Sequence, residues 1–305
     1  MRRTFTIAVF LLLPALFAAP ARAWSPAGHM TLGAIAYHEL ERIDPEALET
    51  VLALLRSHPH FGELLDGPED RVLPEPRRRA AIFMRAARWA DDVRRPPHDE
   101  YSEPAWHYVN FRYRPDAELT PPRGPRQDGY LLWALEENAR RLDSDSDTVR
   151  ALALTWLFHL ITDLHQPLHD IALIDAARPD GDRGGNLTWV RRDDGRTVNL
   201  HWYWDGLINR SEQFTDAARR AHELAGAIDA GGETLSLPAD GFQPWAAESA
   251  RVAVESAYLS GRLGSGTEKD GATLPEGYAA QAQQTAERRG VLGALRLARF
   301  LADRF

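Results

Sequence analysis

Apolar residues recur at helical spacing through most of the chain. Leu48, Val51, Leu52 and Leu55 line one side of a segment that opens at Asp44-Pro45 and runs to about Ser57. Ile82, Phe83, Ala86, Trp89 and Val93 mark a second face, over about Arg77 to Val93. The same periodicity predicts helices at about Met30 to Leu40, Asp128 to Leu142, Thr215 to Ile228, Pro244 to Arg262 and Gly277 to Phe305. Ser144 or Ser146 supplies the cap signal for a central helix. Strand signals are few. Leu187 to Arg191 and Arg196 to Leu200 flank Asp194-Gly195, a dipeptide that favours a tight hairpin turn. Pro96-Pro97 stops a helix, and Trp106 to Phe111 then reads as an extended aromatic run. Pro115, Pro121, Pro122 and Pro125 form a linker. His58 and His60 straddle Pro59 as surface loop residues, and Gly264 to Gly271 reads as a flexible loop. The pattern predicts a mainly α protein with one small β-hairpin.

Met1 to Ala23 stands apart. Arg2 and Arg3 precede an apolar run from Thr6 to Ala19, and Ala21-Arg22-Ala23 supplies a small-residue cleavage site, so a signal peptide is predicted at 1–23. The apolar run is short for a membrane span. Residues 24–305 would then be one mature domain, secreted or periplasmic. Cysteine is absent, so an exported chain must be held by packing or by metal. A single lysine, Lys269, among many arginines fits a GC-rich bacterial source. The formal charge is −8, and losing Arg2, Arg3 and Arg22 makes it more negative. That excludes broad tracking of a duplex backbone, but not one phosphate held on metal.

The densest chemistry lies between Phe158 and Asp170. His159 and Asp163, four residues apart, share a helix face and can converge on one cation. Pro167 bends the helix, freeing His169 to serve a neighbouring metal. His165 lies about 200° round the helix from Asp163 and reads as a packed histidine. A second His-x-x-x-Asp pair follows at His201 and Asp205. Asp91, His107 and His29 add candidates. Trp24, once freed by processing, would offer an α-amine able to ligate metal. All are nitrogen or oxygen donors, which zinc accepts, and two or three ions suit the set.

Trp24 with His29, Trp89-Ala90-Asp91, His107-Tyr108, the His159 to His169 run, Gly184-Gly185-Asn186 and Asn199-Leu200-His201-x-x-x-Asp205 occur in this order. The set resembles the zinc-dependent single-strand nucleases of the S-one/P-one type, which include mung bean nuclease and bacterial relatives. The resemblance implies a single helical domain of the phospholipase C/nuclease type, with the hairpin near a trinuclear zinc site. One zinc would sit on Asp91, His107, His159 and Asp163, a second on His169, His201 and Asp205, and a third on Trp24, His29 and Asp163. It further implies a water nucleophile between the first two, a third zinc on the departing 3′-oxygen, and catalytic roles for Asp91 and Arg94. Tyr108 and Asn186 would stack and hydrogen-bond an unpaired base; Asn110 stands where the fungal enzymes carry an acidic residue. The implied activity is cleavage of single-stranded DNA and RNA to 5′-phosphate products, with 3′-nucleotidase activity, by a monomer with no membrane attachment after processing. Two other readings are a zinc phospholipase C and a non-catalytic zinc-binding helical protein. The family of the first has Glu at the place of Asp205 and wider spacing from Trp to His; the second would need closed ligand sets.

Overall fold

Ser25 starts the first helix, α1 (Pro26–Ile43). Its hydroxyl accepts the Gly28 N–H at 3.0 Å, and Pro26 takes the first helical position, where its missing donor costs nothing. This computed structural model describes residues 24–68, 70–227 and 235–305, so the predicted signal peptide, Met1 to Ala23, lies outside the described residues. Almost all of α1 from Pro26 to Tyr37 is buried, because helices cover it on several sides. Gly33 permits the closest of these approaches. A Cβ there would come within 3.0 Å of Ala87 and of the Phe83 carbonyl on α3 (Glu75–Asp92).

Asp44 ends α1 and caps α2 (Pro45–Leu55), its carboxylate accepting the Ala47 N–H at 2.9 Å. The helix predicted over 128–142 forms as α5 (Leu131–Arg141); one turn of helix in the proline-rich stretch, α4 (Pro125–Asp128), precedes it, and Gly129, with φ of +99°, breaks the two apart. Only glycine fits there: a Cβ would strike the Tyr108 carbonyl and ring. Ser146 caps the central helix α6 (Asp147–Asp163), which packs on α5 and α3 and is buried from Ala153 to its end. Pro167 does not bend α6. The helix stops at Asp163, and Pro167 opens a separate 3₁₀ turn, Pro167–His169.

The hairpin forms as predicted from β3 (Trp189–Arg191) and β4 (Thr197–Asn199), with Trp189 opposite Asn199. Three further strands do not follow from the pattern. β1 (Phe111–Tyr113) runs parallel to β2 (Ile171–Leu173), and β5 (Ala272–Thr273) runs parallel to β3. The 264–271 segment is therefore docked, with Gly266 bridged to Trp189. Trp106 and His107 lie in a 3₁₀ turn, Pro104–His107, and only Phe111 of the predicted extended run enters a strand.

After the hairpin come α7 (Leu200–Asp205), α8 (Phe214–Ala227), α9 (Gln243–Val252) and α10 (Tyr278–Arg304). The helix expected over 244–262 continues beyond α9 only as a π turn and a 3₁₀ turn. The structure is 58% helical with only small sheets, a mainly α fold. No helix among the described residues is long and apolar enough to cross a membrane.

His58 and His60 are not surface residues, being only 3% and 8% exposed. The His60 N–H donates to His58 Nδ1 at 3.0 Å, and Trp89 Nε1 donates to His60 Nδ1 at 3.1 Å. Burial, and then His60, pushes His58 down to about 3, so it packs as a neutral ring.

Candidate metal centre

The end of α6 brings most of the expected ligands together. Asp163 Oδ2 lies 3.0 Å from His107 Nδ1 and 3.1 Å from His159 Nε2, while its Oδ1 lies 3.2 Å from His29 Nε2. One carboxylate thus faces two groups of imidazoles. His169, His201 and Asp205 form a neighbouring group, and Asp91 joins His29 and His159; within each group the ligating atoms lie within 4.8 Å of one another.

Backbone carbonyls fix the tautomers. His159 Nδ1 is 2.9 Å from the Ala87 carbonyl, His169 Nδ1 2.5 Å from that of His107, and His201 Nδ1 2.7 Å from that of Gly184. A carbonyl only accepts, so each ring is protonated at Nδ1 and offers a lone pair at Nε2. The Thr162 hydroxyl gives its proton to the His159 carbonyl at 2.8 Å and so accepts from His29 Nδ1 at 2.9 Å. His107 is the exception, presenting Nδ1. The outcome is lone pairs aimed at lone pairs: His169 Nε2 and His201 Nε2 are 3.1 Å apart, and His29 Nε2 faces a carboxylate oxygen. Such contacts are repulsive unless a cation lies between them.

Buried atoms without a hydrogen bond inside the protein include His29 Nε2, Asp163 Oδ1 and both Asp91 oxygens. Orphaned buried acceptors are costly, and metal ions held among them would satisfy them. A proton is a poor substitute at His29 and His107, although at His159 burial is outweighed by Asp163 and Asp91, which push the imidazole up. Burial, with His159 adding, pushes His29 down to about 4, and burial with Arg94 pushes His107 down to about 3. Burial also opposes charge on Asp163, yet His159, His107 and His29 hold it well below the usual carboxylate range. For Asp205 burial dominates and, with repulsion from Asp91 and Asp163, pushes it well above. A bound cation reverses that preference. The residues present therefore fit a metal cluster of nitrogen and oxygen ligands.

Trp24 is wholly buried, its indole Nε1 donating to the Thr162 carbonyl at 3.0 Å, while the next residue's N–H donates to the Asp205 carbonyl at 2.8 Å. Its main chain is thus anchored between the two His-x-x-x-Asp segments. Arg94 Nε lies 3.0 Å from Asp91 Oδ1, and its charge also acts on His107 and Asp205. Tyr108 is 36% exposed beside buried His107. Asn110 donates its N–H to the Asp128 carbonyl and borders a cavity of about 230 Å³ with Arg112 and Arg123. Asn186 is half-buried, with its amide turned back on the Arg183 carbonyl at 2.8 Å. His165 lies outside the ligand groups: Nδ1 donates to the Ile161 carbonyl at 2.7 Å, and Nε2 accepts from Arg296 at 2.8 Å.

Several supporting groups had no role in the sequence reading. Gln166 donates to Asp205 Oδ1 and accepts the Leu168 N–H, both at 2.7 Å, tying one ligand to the turn that carries His169. Gly184 has φ of +61°, and a Cβ there would sit 2.2 Å from the Leu168 carbonyl; glycine lets this loop reach His201. The signs available are Gln166, within the His159 to His169 run, and the Gly184-Gly185 pair before Asn186. Thr162 and Ala87 gave none.

Residues 24–305 match the family model described as S1/P1 Nuclease. Nuclease S1 of Aspergillus oryzae is 32% identical over 134 residues, 41% of this chain and 41% of that protein. Endonuclease 3 of Arabidopsis thaliana is 26% identical over 297 residues, covering 90% of this chain and 86% of its own. Nuclease P1 of Penicillium citrinum is 25% identical over 251 residues, 74% and 78% of the two chains. Since the family match spans every residue of the metal centre, the chain belongs to the S1/P1 nuclease family.

Proposed function

We propose that this chain is a zinc-dependent endonuclease that cleaves single-stranded DNA and RNA to 5′-phosphate products and also removes 3′-phosphates from nucleotides. The observation that carries the reading is the two-sided placement of Asp163, with one oxygen toward His29 and the other toward His107 and His159. Asp91, His107, His159 and Asp163 would hold one zinc, His169, His201 and Asp205 a second, and Trp24, His29 and Asp163 a third. When bound, the metals supply Lewis acidity and a water acidified enough to attack at neutral pH.

The chain's own groups do the rest. Arg94, nearly buried beside Asp91, is placed to neutralise charge that develops on the phosphoryl oxygens. The exposed ring of Tyr108 offers a stacking surface beside His107, and Asn186 and Asn110 offer amides to a base edge. A paired base cannot turn both its face and its edge to the protein, which gives single strands the advantage. Support comes also from the names of the relatives, all nucleases or endonucleases. The leader-like start at Met1 to Ala23 supports export to the periplasm or medium, and the mature protein is proposed to act as a monomer from a bacterial source.

The test uses mature protein against single-stranded DNA, RNA, 3′-AMP and phosphatidylcholine, with and without chelator, alongside zinc quantification. Chelator-sensitive cleavage of the strands supports the reading. Predominant lipid hydrolysis, or strand cleavage indifferent to chelator, overturns it.

A further inference from the structure

Around Asp205 the chain builds a cationic and aromatic surface that the metal centre does not use. Trp202, on α7 between His201 and Asp205, is 43% exposed. The Arg210 guanidinium lies over its ring, 4.1 Å from the centroid, and Arg192 from the hairpin approaches the same ring at 5.7 Å. Arg210 also lies against Gly206, where a Cβ would come within 1.9 Å of its Cζ, so the absence of a side chain next to Asp205 makes room for it.

Arg210 is not a surface ion-pair residue. Its one hydrogen bond runs from Nη2 to the Tyr203 carbonyl at 3.5 Å, and no carboxylate among the described residues pairs with it. Burial and the charges of Arg192 and Arg196 press against its own charge, and Asp205 favours it. Holding a guanidinium there costs free energy that an anion would offset. A guanidinium stacked on an indole keeps its in-plane donors free of the ring, in a fork that matches two phosphate oxygens. The exposed part of Trp202 is open to a base. In a chain of net charge −8, such a pairing at the rim of the His201 and Asp205 group is selective placement rather than a basic background.

We propose that Arg210, stacked on Trp202 and supported by Arg192, binds the backbone phosphate next to the scissile one, on the side of the group formed by His169, His201 and Asp205. The inference rests on the nuclease reading and deepens it: this contact makes the enzyme prefer a strand to a mononucleotide, which has no second phosphate to offer.

The experiment compares mature, zinc-loaded wild-type protein with Arg210→Gln, and with Arg251→Gln as a charge control at an exposed position of α9. Binding of a labelled phosphorothioate oligothymidylate is followed by anisotropy across a salt series. KM is measured for a single-stranded oligonucleotide and for 3′-AMP. Losing one phosphate contact on a single strand makes the slope of log affinity against log salt shallower by about 0.7. Arg210→Gln should show that change and a several-fold higher KM for the strand, with KM for 3′-AMP and zinc content unchanged. Arg251→Gln should match wild type. Unchanged salt slope in Arg210→Gln overturns the phosphate contact, and equal losses on strand and 3′-AMP overturn the strand preference. A wild-type protein that neither binds nor cleaves the strand overturns the nuclease reading itself, and the contact with it.

Discussion

Replacing Asp163 with asparagine strikes the centre where it is most connected. The side chain keeps its shape but exchanges one oxygen for an NH2 that cannot ligate metal. If the amide oxygen stays toward His107 and His159, at 3.0 and 3.1 Å, the NH2 faces His29 Nε2 at 3.2 Å. The reverse orientation spoils the other group. Either way one metal loses a ligand and both lose a shared negative charge. Loss of a group that merely orients a ligand costs 10- to 100-fold in metal affinity, so loss of a ligand should cost at least about 100-fold, or about 2.7 kcal/mol.

The metal-free protein should respond through a different balance. In the wild type His29 Nε2 and Asp163 Oδ1 are two buried acceptors facing each other, neither hydrogen-bonded. An amide turned toward His29 donates there and returns about 1 kcal/mol, but it gives up the charge that His159, His107 and His29 favour, a stabilisation present above the ordinary carboxylate pKa. Competition against a chromophoric chelator measures the first effect; melting with and without zinc measures the second. The midpoint gain on adding zinc should shrink in Asp163→Asn, and the metal-free midpoint should fall as well. Unchanged zinc affinity together with an unchanged metal-free midpoint would refute the two-sided role of this carboxylate.

The remaining predictions concern groups around that carboxylate. His165→Asn should retain its zinc yet lose about 1–3 kcal/mol of stability, since it disturbs the buried hydrogen bonds to Ile161 and Arg296; chemical denaturation with zinc analysis checks both. Arg94→Ala should bind zinc normally while kcat falls about 100- to 1,000-fold, as expected for a donor acting on transition-state charge; an altered zinc content would contradict that role. Protein still extended ahead of Trp24 should hold nearer two zincs than three and cleave poorly until processed, because an amide nitrogen has lost its lone pair to resonance; metal content and rate before and after cleavage decide the matter.

Most helix positions are readable because most of the long helices carry an apolar period; α6, buried on every side from Ala153 onward, is marked instead by its cap and its histidine. Asp44 before Pro45 and Ser146 before α6 announced their caps in the same way. The errors fell where a segment's partner was distant in sequence. Three-residue strands such as β1 and β2 show no alternation to detect, and their pairing joins Phe111 to Ile171. The 264–271 segment reads as a linker on composition alone; the edge of β3 decides that it docks. His58 and His60 were misjudged for a related reason. Pro59 gives a sound turn signal, but Trp89, arriving from α3, covers the turn.

The metal centre divides along the same line. Which residues gather there can be read from the sequence, since the two His-x-x-x-Asp pairs display it in their side chains. How each imidazole is poised could not. His159, His169 and His201 are held in their tautomers by the carbonyls of Ala87, His107 and Gly184, which lie 72, 62 and 17 residues away along the chain. A carbonyl is common to every residue and leaves no trace in side-chain identity, except where the backbone needs glycine to deliver it. Gly184 is that case, which is why the loop before Asn186 could be picked out as a motif, whereas the helix turn ending at Ala87 could not. A substitution at Ala87 would therefore disturb His159 only by moving the α3 backbone, while one at Gly184 must displace the carbonyl that holds His201.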